Sequence, residues 1–77
     1  MLEIRPNCEC CDRDLLPTSE AWICSYECTF CPVCALRMNR VCPNCGGNLV
    51  MRPLRPIEKL TTDPASTTRV RAKQPCP

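Results

Sequence analysis

Residues 24–45 read CSYECTFCPVCALRMNRVCPNC and place six cysteines within 22 positions, as C-x3-C-x2-C-x2-C-x7-C-x2-C. Cys8 and Cys11 lie upstream and bring the set to eight, in four pairs: Cys8/Cys11, Cys24/Cys28, Cys31/Cys34 and Cys42/Cys45. A structural zinc ion takes four ligands in a closed tetrahedron, and thiolates are its commonest partners there. Eight paired thiols therefore match two four-cysteine sites, and the expected cofactor is Zn2+ at two ions per chain. A single C-x2-C is a weak signal, because thiol–disulfide redox pairs share the spacing. Four pairs in succession are a strong one.

Size gives the reason for so many thiols. A chain of 77 residues allows one small domain and a tail. So short a chain buries too little apolar surface to offset its conformational entropy comfortably, and it needs staples. The three aromatic residues, Trp22, Tyr26 and Phe30, fall within nine positions, so any core is small and local. Ten cysteines, about one residue in eight, are the evident staples.

Disulfides and iron–sulfur clusters are the alternatives to zinc. The N-terminal MLEIRPNCECC has no basic region followed by an apolar run, so it does not read as a secretory signal. No apolar stretch approaches the roughly 18–20 residues of a membrane span. The expected location is the cytoplasm, where thiols stay reduced and free to take metal, with no membrane partner.

The charge is unevenly placed. Residues 1–51 carry four basic side chains against six acidic ones, whereas residues 52–77 carry six basic against two. The formal charge is +2, and eight thiolates on two zinc ions take it to about −2. An acidic metal core thus carries a basic tail.

Along the chain, Leu2 and Ile4 alternate with charged residues as in a brief edge strand. Cys8 and Cys11 form a knuckle, with Cys10 left over as a small spare residue. The polar stretch 12–20, with its central proline, reads as a loop. Residues 21–24 and 28–30 favour β structure and flank a turn at 25–27, giving a short hairpin with a thiol on each arm. Pro32 can open a helix, and ALRMNR continues it for at most about two turns, with Val33 and Leu36 on one face. Cys42-Pro43-Asn44-Cys45 makes the last knuckle. Gly46-Gly47 leads out of it, and residues 48–51 form a closing strand. No internal repeat is visible beyond the cysteine pairs. Residues 52–77 hold five prolines, five Ser/Thr and few apolar side chains, the composition of a disordered or loosely docked basic tail. The expected domains are 1–55 and 56–77. Cys76 lies in this tail as a bystander.

The spacing C8-x2-C11-x12-C24-x3-C28-x2-C31-x2-C34-x7-C42-x2-C45 resembles that of RING-type domains, with Cys28 where those commonly carry histidine. The resemblance implies a cross-brace, in which the first and third pairs hold one zinc and the second and fourth the other. Crowding agrees with it: Cys28, Cys31 and Cys34 recur every three residues, and one tetrahedron cannot easily take neighbours from both sides. Sequential pairing, as in LIM domains, is the competing arrangement. The fold class is thus a small metal-stabilised α+β, RING-like zinc module with a hairpin and a short helix. A closer resemblance rests on LEIRPNCECCDRDLLP, ICSYECTFC and CPNCGGNLVMRP. These look like the short bacterial proteins of the family called domain of unknown function 1272, over residues 1 to about 56. That likeness implies a small cytoplasmic zinc-binding protein and brings no catalytic residues with it.

An enzyme is not expected. The chain has no histidine, which removes the commonest general base, and closed four-cysteine sites leave no position for a metal-bound water. Glu9, Asp12, Asp14, Glu20 and Glu27 read as a solvated acidic face rather than an acid–base pair. The leading expectation is a non-enzymatic zinc module that presents a surface to another protein. Nucleic-acid binding is the first alternative, resting on Arg37, Arg40 and the basic tail, but it needs exposed stacking aromatics. A RING-type ubiquitin-ligase adaptor is the second, with Glu9, Cys10, Leu36 and Pro43 as candidate docking positions. The PxxP at Pro53–Pro56 reads as a linker. Oligomeric state is not legible.

Overall fold

In the computed structural model, which describes residues 1–72, three two-residue strands form one antiparallel sheet in the order β2-β1-β3. β1 (Trp22–Ile23) pairs with β2 (Thr29–Phe30), placing Trp22 opposite Phe30, and with β3 (Val50–Met51), placing Trp22 opposite Met51. The expected hairpin is therefore present, and residues 50–51 close the sheet on its other side. Strands this short are not stable alone. The cysteine clusters described below lie at their ends.

Helix α1 (Pro32–Arg37) starts with proline in its first turn, where a missing N–H costs nothing. Its N-cap is Cys31, whose sulfur accepts from the Cys34 N–H at 3.4 Å. The helix ends in a Schellman arrangement. Asn39 N–H donates to Leu36 O and Arg40 N–H to Ala35 O, with Asn39 and Arg40 both at positive φ (54° and 57°). Asparagine tolerates that conformation better than most residues, which is why six helical residues suffice between two crowded thiol pairs. The buried side is Cys34 and Ala35, with Met38 just beyond, whereas Val33 and Leu36 are exposed. The expected apolar face is present on the helix but turned outward.

The core gathers Leu15, Ala21, Phe30, Ala35, Met38 and Leu49 around the cysteines. Of the three aromatics only Phe30 is fully buried; Trp22 is partly covered and Tyr26 is 73% exposed. Arg40 lies over the Trp22 ring at 5.0 Å from its centroid.

The first and last knuckles are the same structure, built twice. Cys8 N–H bonds Arg13 O at 2.8 Å, as Cys42 N–H bonds Gly47 O at 2.7 Å. Asp12 N–H bonds Cys8 O, as Gly46 N–H bonds Cys42 O, both at 2.9 Å. Leu15 N–H bonds Pro6 O, as Leu49 N–H bonds Arg40 O, both at 2.7 Å. Each loop is flanked by an isolated bridge, Asn7 with Asp14 and Val41 with Asn48. The residue after the second cysteine needs positive φ, which Gly46 meets at 76° and Asp12 at 64°. This repeat escapes the sequence because only the cysteines and the closing leucine are shared.

Two expectations are corrected. Residues 1–6 form no strand: Ile4 sits at φ 55° and is buried, turning the chain into the core rather than along an edge. Glu9 is not on a solvated face. It is 2% exposed, and one carboxylate oxygen accepts from Thr29 N–H at 2.6 Å and from Arg5 Nη1 at 2.9 Å. The described part of the tail lies against the N-terminal residues, within what its composition allowed. A one-turn helix, α2 (Ile57–Leu60), precedes a segment that runs back along the N-terminal residues. Ser66 N–H bonds the carbonyls of Glu3 and Ile4, and Ala72 N–H bonds Glu9 O at 2.8 Å. Arginines oppose the acidic knuckle, a complementarity that composition alone does not place. Cys76 lies outside the described residues.

Arg52, at the end of β3, clamps these parts together. It is 3% exposed, and its guanidinium donates to Arg5 O at 3.2 Å and Leu16 O at 3.1 Å. Burial lowers its pKa from the ordinary arginine value. Arg52→Met leaves those two carbonyls short of a donor and is expected to cost about 2–3 kcal/mol, since hydrogen bonds to charged groups contribute roughly that much. Arg52→Lys should recover only part of the loss, because a single ammonium cannot span both acceptors as the planar fork does. Thermal unfolding of the metal-loaded variants checks the order.

Candidate metal centre

Cysteines are placed in two groups by these elements. The sulfurs of Cys8, Cys11, Cys31 and Cys34 all lie within 4.8 Å of one another. Cys8 and Cys11 come from the first knuckle, and Cys31 and Cys34 from the start of α1. Those of Cys24, Cys28 and Cys42 form a second such group, from the two arms of the hairpin and the last knuckle. The Cys45 sulfur does not lie within 4.8 Å of all three, but the Cys24 and Cys42 thiols are near enough to help lower its pKa. The grouping therefore interleaves along the chain: the third pair joins the first, and Cys42 of the fourth pair joins the second. Cys11 and Cys24 do not share a group. Cys10 belongs to neither.

The donor set and its surroundings fit a thiophilic metal. All eight are free thiols, six buried and two, Cys11 and Cys45, exposed. A tetrahedron with the usual zinc–sulfur length of about 2.3 Å has sulfurs about 3.8 Å apart, and the Cys11 and Cys31 sulfurs lie 3.9 Å from each other. Backbone N–H groups already point at them. Gly47 N–H lies 3.4 Å from the Cys45 sulfur and Tyr26 N–H 3.3 Å from that of Cys24, and Arg13 N–H is directed at Cys11. Each donor comes two residues after its cysteine, so the knuckle that aims the thiols also supplies dipoles that favour thiolate. The Asn44 side-chain amide adds a contact to the Cys28 sulfur at 3.5 Å. A cysteine count does not reveal Asn44 as a supporting group.

Without metal, four of the buried thiols resist ionisation. Burial pushes Cys24 up to about 12 and raises Cys8, Cys34 and Cys42 as well. At Cys11 burial also acts upward, but the Arg13 N–H and the neighbouring thiols outweigh it and leave the group lowered. Cys45 is lowered chiefly by the Gly47 N–H. An exposed thiol with a lowered pKa, Cys11, thus stands beside the raised Cys8 and Cys34, and Cys45 likewise beside Cys24 and Cys42.

The fold and these clusters define a class: a small α+β module built on two interleaved cysteine groups that could hold metal ions. Its family follows from comparison with known proteins. A family model described as "Protein of unknown function (DUF1272)" matches residues 1–55, and the chain belongs to that family. It is also 59% identical over 78 residues to a protein of Rhizobium meliloti (strain 1021) titled "Uncharacterized protein R02474", covering 99% of this chain and 93% of the relative. No solved structure matches. Among the described residues no helix is long and apolar enough to cross a membrane.

Proposed function

We propose that this protein is a structural zinc module of the reducing cytoplasm. Two ions are held by Cys8, Cys11, Cys31 and Cys34 and by Cys24, Cys28, Cys42 and Cys45, and the RING-like cross-brace they make presents a rigid surface to another protein. The observation that carries this reading is the interleaved convergence of the thiols. Interleaving ties the two ends of the domain to the central hairpin and helix, so the metal ions take the place of a core. Zinc is the natural occupant because all eight donors are thiols and the ion has no redox chemistry of its own to attack them. Four thiolates close each site, which leaves no position for substrate or water and assigns the metal a structural role rather than a catalytic one.

Recognition through the surface fits a protein partner better than a nucleic acid. The first knuckle is acidic, Arg40 already covers the Trp22 face, and the tail arginines are engaged with Asp12 and Asp14. Glu9 is buried, which removes one of the positions a RING-type docking surface would use.

Native mass spectrometry of the purified full chain tests the metal reading. Two zinc ions per chain are expected, and Cys45→Ser should weaken the second ion while leaving the first. One ion, an iron–sulfur absorption band, or loss of the first ion on changing Cys45 would overturn the assignment.

A further inference from the structure

The outer edge of the first knuckle carries an extended segment of the chain's own tail, and the contacts are those of peptide recognition. Asn7 is completely buried, and its side-chain amide reads one residue's backbone: Nδ2 donates to Val70 O at 2.8 Å and Oδ1 accepts from Val70 N–H at 3.3 Å. Two residues on, Ala72 N–H donates to Glu9 O at 2.8 Å. The main chain of the segment is thus held at alternate residues, by the Asn7 side chain at Val70 and by the Glu9 carbonyl at Ala72, the spacing at which an extended peptide can be read. The side chains between are read by charge. Arg69 spans Asp14 Oδ1 at 2.6 Å, Asp12 Oδ1 at 3.0 Å and Asp12 O at 2.6 Å. Arg71 reaches Cys10 O at 3.3 Å and Asp12 Oδ2 at 3.6 Å.

We propose that this edge, from Asn7 to Asp14, is a docking groove for an extended Arg-aliphatic-Arg segment of a partner protein, which residues 69–72 occupy in cis as a stand-in. The proposal rests on the interaction-module reading above and names the partner's chemistry. The match of seated segment to groove is one of charge and of backbone pairing together. The Asn7 amide is built into the core, where the segment supplies the partner of its oxygen. The groove lies within the family-matched residues 1–55 and its present occupant lies outside them, so the receiving surface belongs to the domain and the occupant to an appendage. Arg69, Asp12 and Asp14 keep 43%, 40% and 83% of their side-chain surface exposed. Pairs so exposed are screened by solvent and hold weakly. The cis segment holds its place by its tether, which supplies an effective concentration on the order of millimolar, and a better-matched peptide can displace it.

Fluorescence anisotropy with a labelled peptide of sequence STTRVRA (residues 66–72) tests this on the full, metal-loaded chain in reductant. Arg69→Glu/Arg71→Glu vacates the groove, and this variant should bind the peptide at least tenfold more tightly than the native protein does, with affinity falling as salt rises. Adding Asp14→Lys to that variant should abolish the gain, and a peptide with both arginines replaced by glutamine should not bind. Equal binding to the native and vacated proteins, or binding undiminished by Asp14→Lys, would overturn the groove. Metal content measured on the same samples separates the two readings: two ions without peptide binding defeats the groove alone, whereas fewer than two ions in the native chain defeats the zinc module. Should the double substitution lose metal, Arg69→Glu alone serves, with the same tightening expected in smaller degree.

Discussion

Excess strong chelator added to the metal-loaded protein unfolds residues 1–55 rather than leaving an empty but folded site. A structural zinc site contributes on the order of 10–16 kcal/mol in small peptides near neutral pH, and the whole stability of a typical domain is only about 5–15 kcal/mol. The apolar alternative is slight here. Phe30 is the one large apolar side chain in the core that is fully buried, supported by Leu15, Leu49, Met38 and small residues, and the strands are two residues each. Acid has the same effect, and the sign follows from the ligands. Metal binding holds the thiols as thiolates, so their effective pKa falls far below the unfolded value; the stabilisation is present at higher pH and is lost as pH falls and protons compete for sulfur. Binding must therefore release protons, most of all from buried groups such as Cys24. One-dimensional NMR checks the outcome: amide dispersion should vanish on chelation and return with zinc. Dispersed signals in the metal-free protein would show that packing alone holds the fold.

Cys31→Ser should be nearly as damaging as chelation. Cys31 is fully buried, lies 3.9 Å by sulfur from Cys11, and caps α1. Serine is itself a favoured N-cap, so the helix start is retained and the substitution isolates the metal ligand. A neutral hydroxyl replaces a thiolate inside a closed site, and the loss should exceed about 4–5 kcal/mol, the range reached when a metal site is lost. The expected readouts are one zinc ion instead of two and loss of cooperative thermal unfolding. Cys45→Ser is the comparison. Cys45 is exposed and sits outside the tight group of Cys24, Cys28 and Cys42, so water can fill its place and the fold should survive with a weakened second site. Equal damage from the two changes would show that burial of the ligand does not matter.

The tail is where composition says least about position. Residues 56–72 have the prolines, threonines and charges of an unfolded segment, and little apolar surface of their own. What places them is hydrogen-bonding partners on another part of the chain: Asp12 and Asp14 for Arg69, the Asn7 amide for Val70, with Arg55 just ahead of them donating to Leu2 O at 2.6 Å. No local propensity encodes such pairings. The same holds for Arg52, which reads as the first residue of a basic linker and is instead buried against two carbonyls. Glu9 differs from its expected place for a related reason: a carboxylate beside Cys8 looks solvated until the hairpin brings Thr29 N–H and Arg5 against it.

By itself, the sequence determined the chemistry of this protein and its local turns. Thiol spacing and knuckle geometry are set by a few adjacent residues: two cysteines at the right spacing, a proline to start a helix, a glycine or aspartate able to take positive φ. Hairpin, short helix and closing strand follow from the same short-range rules. Spacing and crowding favoured interleaved thiols over sequential ones, but which thiols meet was decided only in three dimensions, because C-x2-C pairs are locally alike. The choice depends on the path of the chain between pairs, on a helix that ends after six residues and on a hairpin that turns at Glu27. The seating of the tail on the first knuckle was decided there too, since long-range charge and hydrogen-bond complementarity leave no mark on either segment read alone.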